Sequence, residues 1–367
     1  RILENELEGL SRLIYVGTEI YNDEPLGLTF TSSGEGQNIV IVGTTGSGKT
    51  YLYENLLLNA VLNDFKINAM DYKGKEYESV ARLIPNSITL DLSLDSPLFV
   101  NTLKFIPELY EPEEREGAFI RNTQATIKSL CVLANLKEEH FKSAESLLDN
   151  LIRTVYHEHE VYYDKPSSYF KTRNIDFVKS MNGILIQIQQ DAYLHKLFSK
   201  EVCREIFTGL APYFYTNTYN SKMFSDEVDL KEVLTSDAIF YSFNMNQETP
   251  WNSLVRYQIF IQDYISNLFI KRNKKLGYTT LNSVEEYQRA VRYPESREIY
   301  NNKFSGGRSD NVVNVIMSNT IRPLLDQSLD TSAVRENVAT LFIGKLKDMS
   351  ALEDLCNTFE MSSGALD

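Results

Sequence analysis

The opening part of the chain carries short apolar runs and one segment with helical spacing. The runs at 13–16 and 26–30 predict short strands, and the run at 38–42 is typical of a buried strand. From 51 to 63 the apolar residues recur on one face of a helix, and 66–70 again has a strand pattern. This order predicts a βαβ unit, which is the building block of a parallel sheet.

The middle of the chain changes to helical spacing. From about residue 106 to about residue 235 strand patterns are scarce, and a stretch of about 130 residues is large enough to be a domain. The helical patterns within it cover 123–136, 141–155, 178–186 and 193–207. The sequence therefore predicts an all-helical insertion subdomain at 106–235.

Strand patterns return after the insertion. They cover 238–243, 279–284, 312–317 and 340–343, and helical patterns cover 253–274 and 350–359. The simplest assembly is one parallel sheet that the insertion interrupts. We therefore expect an α/β protein whose core has a mostly parallel sheet and is formed in two parts, by 1–105 and by 236–367.

Length and charge narrow the class of protein. A chain of 367 residues allows two or three domains, or one large domain with an insertion. The 37 Lys and Arg residues stand against 50 Asp and Glu residues, which gives a net charge of −13. Because phosphate contacts are made by Lys and Arg, this balance argues against a protein that coats nucleic acid over its whole surface.

The cysteines, the apolar runs and the start of the chain indicate the type of compartment and the extent of the protein. The three cysteines lie far apart and offer neither a disulfide framework nor a zinc spacing, so we expect a reducing compartment. No apolar run has the length of a membrane span. The chain starts at Arg1 with no signal-peptide pattern, and we expect it to be a piece of a larger protein.

A glycine-rich turn lies between the strand at 38–42 and the helix at 51–63. It reads Gly43-Thr44-Thr45-Gly46-Ser47-Gly48-Lys49-Thr50 and fits the pattern G-x-x-x-x-G-K-[ST] at every position. Glycines let backbone N–H groups turn inward around phosphate oxygens, and the positive end of the following helix faces the same anion. We expect Lys49 to neutralise the β- and γ-phosphates and the Thr50 hydroxyl to bind Mg²⁺. These eight residues and the adjoining Tyr51 are the expected site for ATP, since no guanine-reading motif stands out.

Two glutamates follow the second strand pattern after the insertion. Hydrolysis needs a carboxylate near the metal and a group that positions the attacking water, both at the carboxyl edge of the sheet. Glu285 is the expected metal ligand, and Glu286 is expected to polarise the water. The alternative is that both acids begin a solvated helix, and Asn282 and Ser283 are polar for a central strand. Asp71 is a rival acid, for which we favour a structural or subunit-contact role.

Further candidates for catalysis surround the strand pattern at 312–317. Asn319 lies just past its end, where a side-chain amide can sense the γ-phosphate or orient water. A ring ATPase also needs an arginine that reaches the γ-phosphate of the neighbouring subunit. Arg308, on the loop before this strand, is the first candidate, and Arg322 and Arg335 are alternatives. For each arginine the ordinary surface role stays open.

Together these motifs resemble the VirB-four class of ATPases, also called TraC-like, from type IV secretion and conjugation machines. The resemblance extends over nearly the whole chain and includes the phosphate loop and the helical insertion. It is further carried by Tyr15-Val16-Gly17-Thr18, Glu24-Pro25-Leu26, Leu210-Ala211-Pro212-Tyr213-Phe214, Met223-Phe224-Ser225 and Val334-Arg335-Glu336-Asn337-Val338-Ala339-Thr340. The family usually has Asp where this chain has Glu285, and Gln where it has Asn319. These departures bear on the hydrolysis rate more than on nucleotide binding.

The resemblance implies a RecA-like motor that hydrolyses ATP with Mg²⁺ and is a hexamer when active. It implies a cytoplasmic location, peripheral to the inner face of the bacterial cell membrane, at the base of a membrane-spanning channel. The implied partners are other subunits of that secretion or conjugation channel and its coupling protein. The implied work is pilus assembly, or the transfer of substrate or DNA.

Two alternatives to this function stay open. HerA- and FtsK-like DNA pumps and conjugative coupling proteins share the core motifs. The basic segment 271–275 is a candidate contact for DNA, although it better suits the C-terminal end of the preceding helix, whose dipole it complements. The second alternative is a weakly hydrolysing, ATP-binding assembly module, which the unusual acid pair Glu285-Glu286 favours.

Overall fold

The computed structural model describes residues 13–18, 23–29, 38–74, 76–92, 98–215, 224, 227–243, 252–306, 310–346 and 349–358. The chain divides into two compact units. The first comprises Arg1–Ser93, Lys231–Glu248 and Ile265–Asp367, and the second comprises Leu94–Leu230 and Thr249–Tyr264. The domain limits near 105 and 235 stay a prediction.

Nine strands are present in the described ranges, all of them in the first unit. They are β1 Leu13–Thr18, β2 Pro25–Thr29, β3 Ile39–Val42, β4 Lys66–Asp71, β5 Ser87–Asp91, β6 Ala238–Ser242, β7 Thr280–Glu285, β8 Val312–Ser318 and β9 Thr340–Ile343. The first two form an antiparallel pair. The other seven form one sheet in the order β5-β6-β4-β7-β8-β3-β9, and every neighbouring pair in it is parallel. The predicted α/β class with a mostly parallel sheet is confirmed.

The helices connect the strands or form the second unit. They are α1 Lys49–Leu62, α2 Glu78–Ala81, α3 Arg115–Leu133, α4 Glu138–Glu158, α5 Phe177–Gln190, α6 Leu194–Leu197, α7 Lys200–Phe214, α8 Leu230–Thr235, α9 Asn252–Lys275, α10 Tyr287–Ala290, α11 Pro294–Gly306, α12 Arg322–Leu325, α13 Ser332–Glu336 and α14 Met349–Thr358. Short 3₁₀ turns occur at Pro107–Leu109, Pro112–Glu114, Pro166–Asn174 and Gln327–Leu329. In the described part of the chain, no helix is long and apolar enough to cross a membrane.

One face of the seven-stranded sheet is covered by α1. Tyr53, Leu56 and Leu57 of this helix are buried against alternate residues of the central strands, such as Ile41 and Val315. Alternation is expected because successive side chains of a strand point to opposite faces of the sheet. This apolar layer anchors α1, so the loop that precedes the helix starts from a rigid base.

The opposite face of the sheet carries a row of buried asparagines. The amide of Asn68 in β4 donates to Asn282 in β7 at 2.7 Å, and Asn282 donates to Asn314 in β8 at 2.8 Å. Asn314 donates to Asn38, just before β3, at 3.0 Å. We call these four residues the asparagine ladder. Each is at most 5% exposed, so these bonds satisfy most of the polar atoms that would otherwise be costly to bury. The side-chain oxygen of Asn68 has no hydrogen-bond partner among the described residues.

The second unit is built from α3, α4, α5, α6, α7 and the first part of α9. Its interior contains packed aromatic rings, including Phe119 stacked on Tyr169 with ring centroids 4.2 Å apart. Helix α7 approaches the end of α3 very closely. A Cβ at Gly209 would lie 2.2 Å from the carbonyl oxygen of Ala134, so only glycine fits at this crossing.

The structure differs from the sequence-based prediction at two points of detail. Strand β5 was not predicted, because Ser87–Asp91 is short and mostly polar, as suits the edge strand that it forms. The helical pattern at 193–207 is not one helix. The chain is extended at Phe198, and the Ser199 side chain accepts a hydrogen bond from the N–H of Val202 at 3.2 Å, which starts α7.

Candidate active site

The phosphate loop joins β3 to α1 and depends on its glycines. Gly46 and Gly48 have φ angles of 81° and 86°, a backbone region that residues with side chains rarely adopt. Gly43 is needed for space, because a Cβ there would lie 2.5 Å from the Ser47 hydroxyl and 3.1 Å from the Cα of Gly344. Among the described residues no side chain caps α1, so the N–H groups of its first turn can bind an anion.

The loop is tied to two neighbouring strand ends. The Gly43 N–H donates to the Ser318 carbonyl at the end of β8, at 3.2 Å. The backbone N–H and the hydroxyl of Thr44 both donate to the carbonyl of Lys345, at 2.8 and 3.0 Å. Lys345 follows β9, and sequence reasoning missed its segment because it carries no motif. Its one available signal was its place after the last strand of a parallel sheet.

Lys49 and Thr50 lie beside the two predicted acids. Lys49 Nζ donates to the carbonyl of Thr44 at 3.1 Å. Burial lowers the pKa of Lys49, and the nearby charges of Glu286 and Glu285 oppose that change. The Thr50 hydroxyl is 3.4 Å from Oε1 of Glu285. The structure thus brings Thr50 and Glu285 together at one edge of the sheet, and their proposed roles stay predictions.

Glu285 is the last residue of β7 and is 6% exposed. Parallel pairing places it directly beside Asp71, the last residue of β4. Burial raises the pKa of Glu285 to about 7, and the charges of Asp71, Glu76 and Glu286 add to the shift. Among the described residues its Oε2 atom has no hydrogen-bond partner.

Glu286 leaves the strand in a left-handed conformation, with φ 57° and ψ 41°. Asn319, after β8, donates its side-chain amide to Oε1 of Glu286 at 2.8 Å. On the other side of the carboxylate, the Gln288 amide donates to Oε2, and Arg289 Nε lies 3.4 Å from the same oxygen. The predicted acid and the predicted sensor amide are therefore in direct contact.

Asp71 organises a loop next to this site. Its two carboxylate oxygens accept the backbone N–H groups of Lys73 at 2.7 Å and of Glu76 at 2.9 Å. Burial raises the pKa of Asp71, and these backbone donors oppose the shift. The Lys73 ammonium pairs with the carboxylate of Glu76. Asp71 therefore holds the loop after β4 in place. The structural or subunit-contact role expected from the sequence stays a prediction.

The donor set suits a nucleotide with a magnesium ion. The Ser47 hydroxyl and Glu285 Oε2 are buried oxygens without a hydrogen-bond partner in the described part of the chain. Mg²⁺ takes oxygen ligands and is commonly held by one or two protein groups together with substrate phosphates. Thr50 and Glu285 are the residues that would hold the ion. Lys49 and the first turn of α1 would hold the phosphates.

The remaining predicted residues are the three candidate arginines and Tyr51. Arg308 lies outside the described residues. Arg322 donates to the Ser350 hydroxyl at 2.9 Å. Arg335 lies 3.5 Å from the Leu324 carbonyl. Tyr51 is 74% exposed at the start of α1. The proposed nucleotide contact of Tyr51 and the proposed arginine acting in trans stay predictions.

Sequence comparison decides the family. Residues 8–196, just over half of the chain, match the profile of the FtsK/SpoIIIE family. The chain belongs to the FtsK/SpoIIIE family. The matched segment contains the phosphate loop and ends before the acid pair. A search of curated protein sequences finds no match.

Solved structures share the fold of this FtsK/SpoIIIE chain. VirB4 of Thermoanaerobacter pseudethanolicus is similar over 96% of this chain and 89% of its own, with a TM-score of 0.64 and 14% identity. The conjugative coupling protein TrwB in unbound form is similar over 92% of this chain and 74% of its own, with a TM-score of 0.52 and 11% identity. TrwB in complex with a non-hydrolysable ATP analogue gives a TM-score of 0.52 at 10% identity, over 92% and 76%. The predicted RecA-like P-loop fold is confirmed.

The FtsK/SpoIIIE chain thus gathers the predicted residues around one edge of its sheet. Glu285, Glu286 and Asn319 lie at or just after the carboxyl ends of β7 and β8, and Lys49 and Thr50 begin α1, which follows the loop after β3. Sequence reasoning missed Gln288, which contacts Glu286 directly. A polar side chain two residues after the acid pair was the signal available for it.

Proposed function

We propose that this protein is a Mg²⁺-dependent ATPase that energises a type IV secretion or conjugation machine. One observation carries the proposal. The complete phosphate loop, the Thr50–Glu285 pair and the Glu286–Asn319 pair converge at the carboxyl edge of one parallel sheet. That edge is where open α/β sheets bind ligands, and these are the residue types that phosphoryl transfer to water requires.

The geometry divides the work of hydrolysis among the side chains. The loop N–H groups and the Lys49 ammonium hold the phosphates and balance their charge. Thr50 and Glu285 would hold the magnesium ion, which would stabilise negative charge on the phosphate oxygens. The Glu286 carboxylate accepts a hydrogen bond from the attacking water and takes its proton. Asn319 donates to the same carboxylate, so its side chain lies close to the position proposed for the attacking water.

The proposal is tested by steady-state ATP hydrolysis with and without Mg²⁺. We expect Lys49→Ala to weaken nucleotide binding and Glu286→Gln to preserve binding while lowering kcat by about 100-fold or more. Lys142→Ala and Glu353→Gln are matched controls, because both original residues are exposed on helices. Full activity in Glu286→Gln, or no turnover by the wild type at any protein concentration, would refute the proposal.

The partners and the location that we propose are supported by the family resemblance. VirB4 and the coupling protein TrwB are the named proteins whose folds this chain shares. We propose that the active form is a hexamer, located in the cytoplasm at the inner face of the bacterial cell membrane. It works there with channel subunits and a coupling protein, and an arginine such as Arg308 reaches the neighbouring site. A rise in kcat with protein concentration supports this arrangement, whereas a constant kcat argues for a self-sufficient monomer.

A DNA-translocating pump or coupling protein is the second candidate function. The match of residues 8–196 to the FtsK/SpoIIIE family favours it. It predicts DNA binding that weakens with salt, so that a plot of the logarithm of the binding constant against the logarithm of the salt concentration has a slope that corresponds to several phosphate contacts. It also predicts that DNA stimulates ATP turnover. The absence of DNA binding at low salt excludes this candidate. Tight ATP binding with negligible turnover in the assembled protein instead indicates a nucleotide-binding assembly module.

A further inference from the structure

Gln288 contacts the proposed catalytic acid, Glu286. It lies in the first turn of α10, two residues beyond Glu286, and is half-buried. One end of its side-chain amide donates to Oε2 of Glu286. The other end accepts the backbone N–H of Asn319 at 3.2 Å and lies 2.9 Å from the Ser318 hydroxyl. Gln288 therefore bridges the proposed catalytic acid and the end of β8.

We propose that Gln288 is a positioning residue for ATP hydrolysis, which holds the Glu286 carboxylate in register with the end of β8. This inference rests on the proposed ATPase function and assigns a residue that acts through Glu286. It does not require Gln288 to touch the nucleotide.

The orientation of the Gln288 amide is determined by its neighbours. A backbone N–H is only a donor, so the amide atom that faces Asn319 must be the oxygen. The Ser318 hydroxyl has one proton and faces two acceptors, this oxygen and the carbonyl of Thr320 at 2.6 Å, so it can satisfy only one of them. The amide nitrogen is then directed to Glu286, which as a carboxylate can only accept.

The position of the Glu286 carboxylate depends on side-chain contacts, because the residue lies outside the regular backbone of β7. The residue has left the strand, and its φ of 57° lies in a region that costs energy for a residue with a side chain. Among the described residues, three side chains contact its carboxylate, those of Asn319, Gln288 and Arg289. A shift of about 1 Å in a group that acts on the attacking water is enough to lower a rate by about 100-fold.

The bridge also extends to the phosphate loop. Asn319, whose N–H holds the Gln288 oxygen, follows Ser318 directly, and the Ser318 carbonyl accepts the N–H of Gly43. A route of hydrogen bonds and one peptide unit therefore joins Glu286, Gln288, the end of β8 and the phosphate loop. Loss of the Gln288 amide breaks this route at its middle, while the separate bond from Asn319 to Glu286 is left in place.

The first experiment separates catalysis from binding. Gln288→Met keeps a side chain of similar volume without donor or acceptor, and Gln189→Met on the exposed side of α5 is its control. We expect Gln288→Met to lower kcat by about tenfold to 100-fold while the Kd for a non-hydrolysable ATP analogue changes less than about twofold. In a Glu286→Gln background the same change should have no further effect on single-turnover hydrolysis, because Gln288 acts through Glu286.

A second variant protects the test against simple misfolding. Gln288→Glu keeps the acceptor for the Asn319 N–H but replaces the donor to Glu286 by a like charge, so it should lose at least as much kcat as Gln288→Met. A readout without turnover is urea unfolding of the nucleotide-free protein, with Gln288→Met, Glu286→Ala and the double variant. We expect the two changes to be non-additive by about tenfold in the unfolding equilibrium constant, the order of one charge-assisted hydrogen bond.

The possible results distinguish this inference from the function on which it rests. Turnover in the wild type with unchanged kcat in Gln288→Met overturns the inference and leaves the ATPase proposal in place. Equal loss of kcat and of analogue binding overturns it as well, because that pattern reports general damage to the site. Additive unfolding effects overturn the contact between Gln288 and Glu286. Absence of turnover in the wild type removes both proposals together.

Discussion

The buried carboxyl of Glu285 makes the stability of the nucleotide-free protein depend on pH in a defined direction. Burial, with the charges of Asp71, Glu76 and Glu286, raises its pKa from 4.5 to about 7. Between those two pH values the folded chain keeps a proton that the unfolded chain has released. The free energy of unfolding therefore falls as pH rises through this window, and the contribution is constant above it.

The size of the effect follows from the shift. At about 1.4 kcal/mol per unit of pKa, a charged Glu285 costs the folded protein about 3 kcal/mol at pH 8 and less than about 1 kcal/mol at pH 5. Glu285→Gln has nearly the same volume and no charge, and its amide oxygen can still face Thr50. We expect this variant to be more stable than the wild type by those amounts, although it loses the proposed metal ligand.

The assay is urea unfolding of the nucleotide-free protein in EDTA at several pH values between 5 and 8. Glu353→Gln, an exposed change on α14, is the control for general charge effects. The difference in unfolding free energy between Glu285→Gln and the wild type should grow by about 2.5 kcal/mol from pH 5 to pH 8. A difference that stays constant with pH, or one that grows toward low pH, refutes the reasoning.

Three further predictions concern the metal, the sheet and the helical unit. In the proposed site, protons and Mg²⁺ compete for the Glu285 carboxylate. The Mg²⁺ concentration for half-maximal ATP turnover should therefore rise by up to about tenfold per pH unit below 7, and a concentration that does not change with pH contradicts this. Asn282→Leu should lower the unfolding free energy by about 2–4 kcal/mol, because Asn68 and Asn314 lose their bonds to it. A cost below about 0.5 kcal/mol would show that the ladder is unimportant. Gly209→Ala should lower the free energy of unfolding by about 1–3 kcal/mol or more, because its Cβ would meet the Ala134 carbonyl. Differential scanning calorimetry measures this loss, with Gly183→Ala as the control. Equal melting temperatures of the two variants would argue against the close crossing of α7 and α3.

Much of the first unit was predictable because its signals are local. The strand, loop and helix around Lys49 carry a motif whose spelling is dictated by phosphate chemistry. That Glu286 and Asn319 lie at the same edge of the sheet was also predictable, because carboxyl ends of parallel strands meet there. The strand order was not predictable, since nothing in the residues of β8 says that it lies between β3 and β7.

What could not be predicted depends on contacts between distant segments. Asn282 looked too polar for a central strand, and its partners Asn68 and Asn314 lie far away in the sequence, so only the folded sheet explains it. The bond from Thr44 to the Lys345 carbonyl involves a backbone atom, which leaves no trace in residue type. The bridge made by Gln288 depends on the turn at Glu286. No sequence pattern predicts the positive φ of Glu286 on which this turn depends.

The asparagine ladder has a consequence for how this chain can change over time. Replacing one member removes at least one bond of the ladder. Replacing all four also takes donors away from groups outside it, because Asn38 donates to the carbonyls of Phe304 and Asn337 and Asn314 donates to the carbonyl of Lys303. The four asparagines are therefore coupled to each other and to the backbone of α11, so a substitution at one of them restricts the residues that the other positions tolerate.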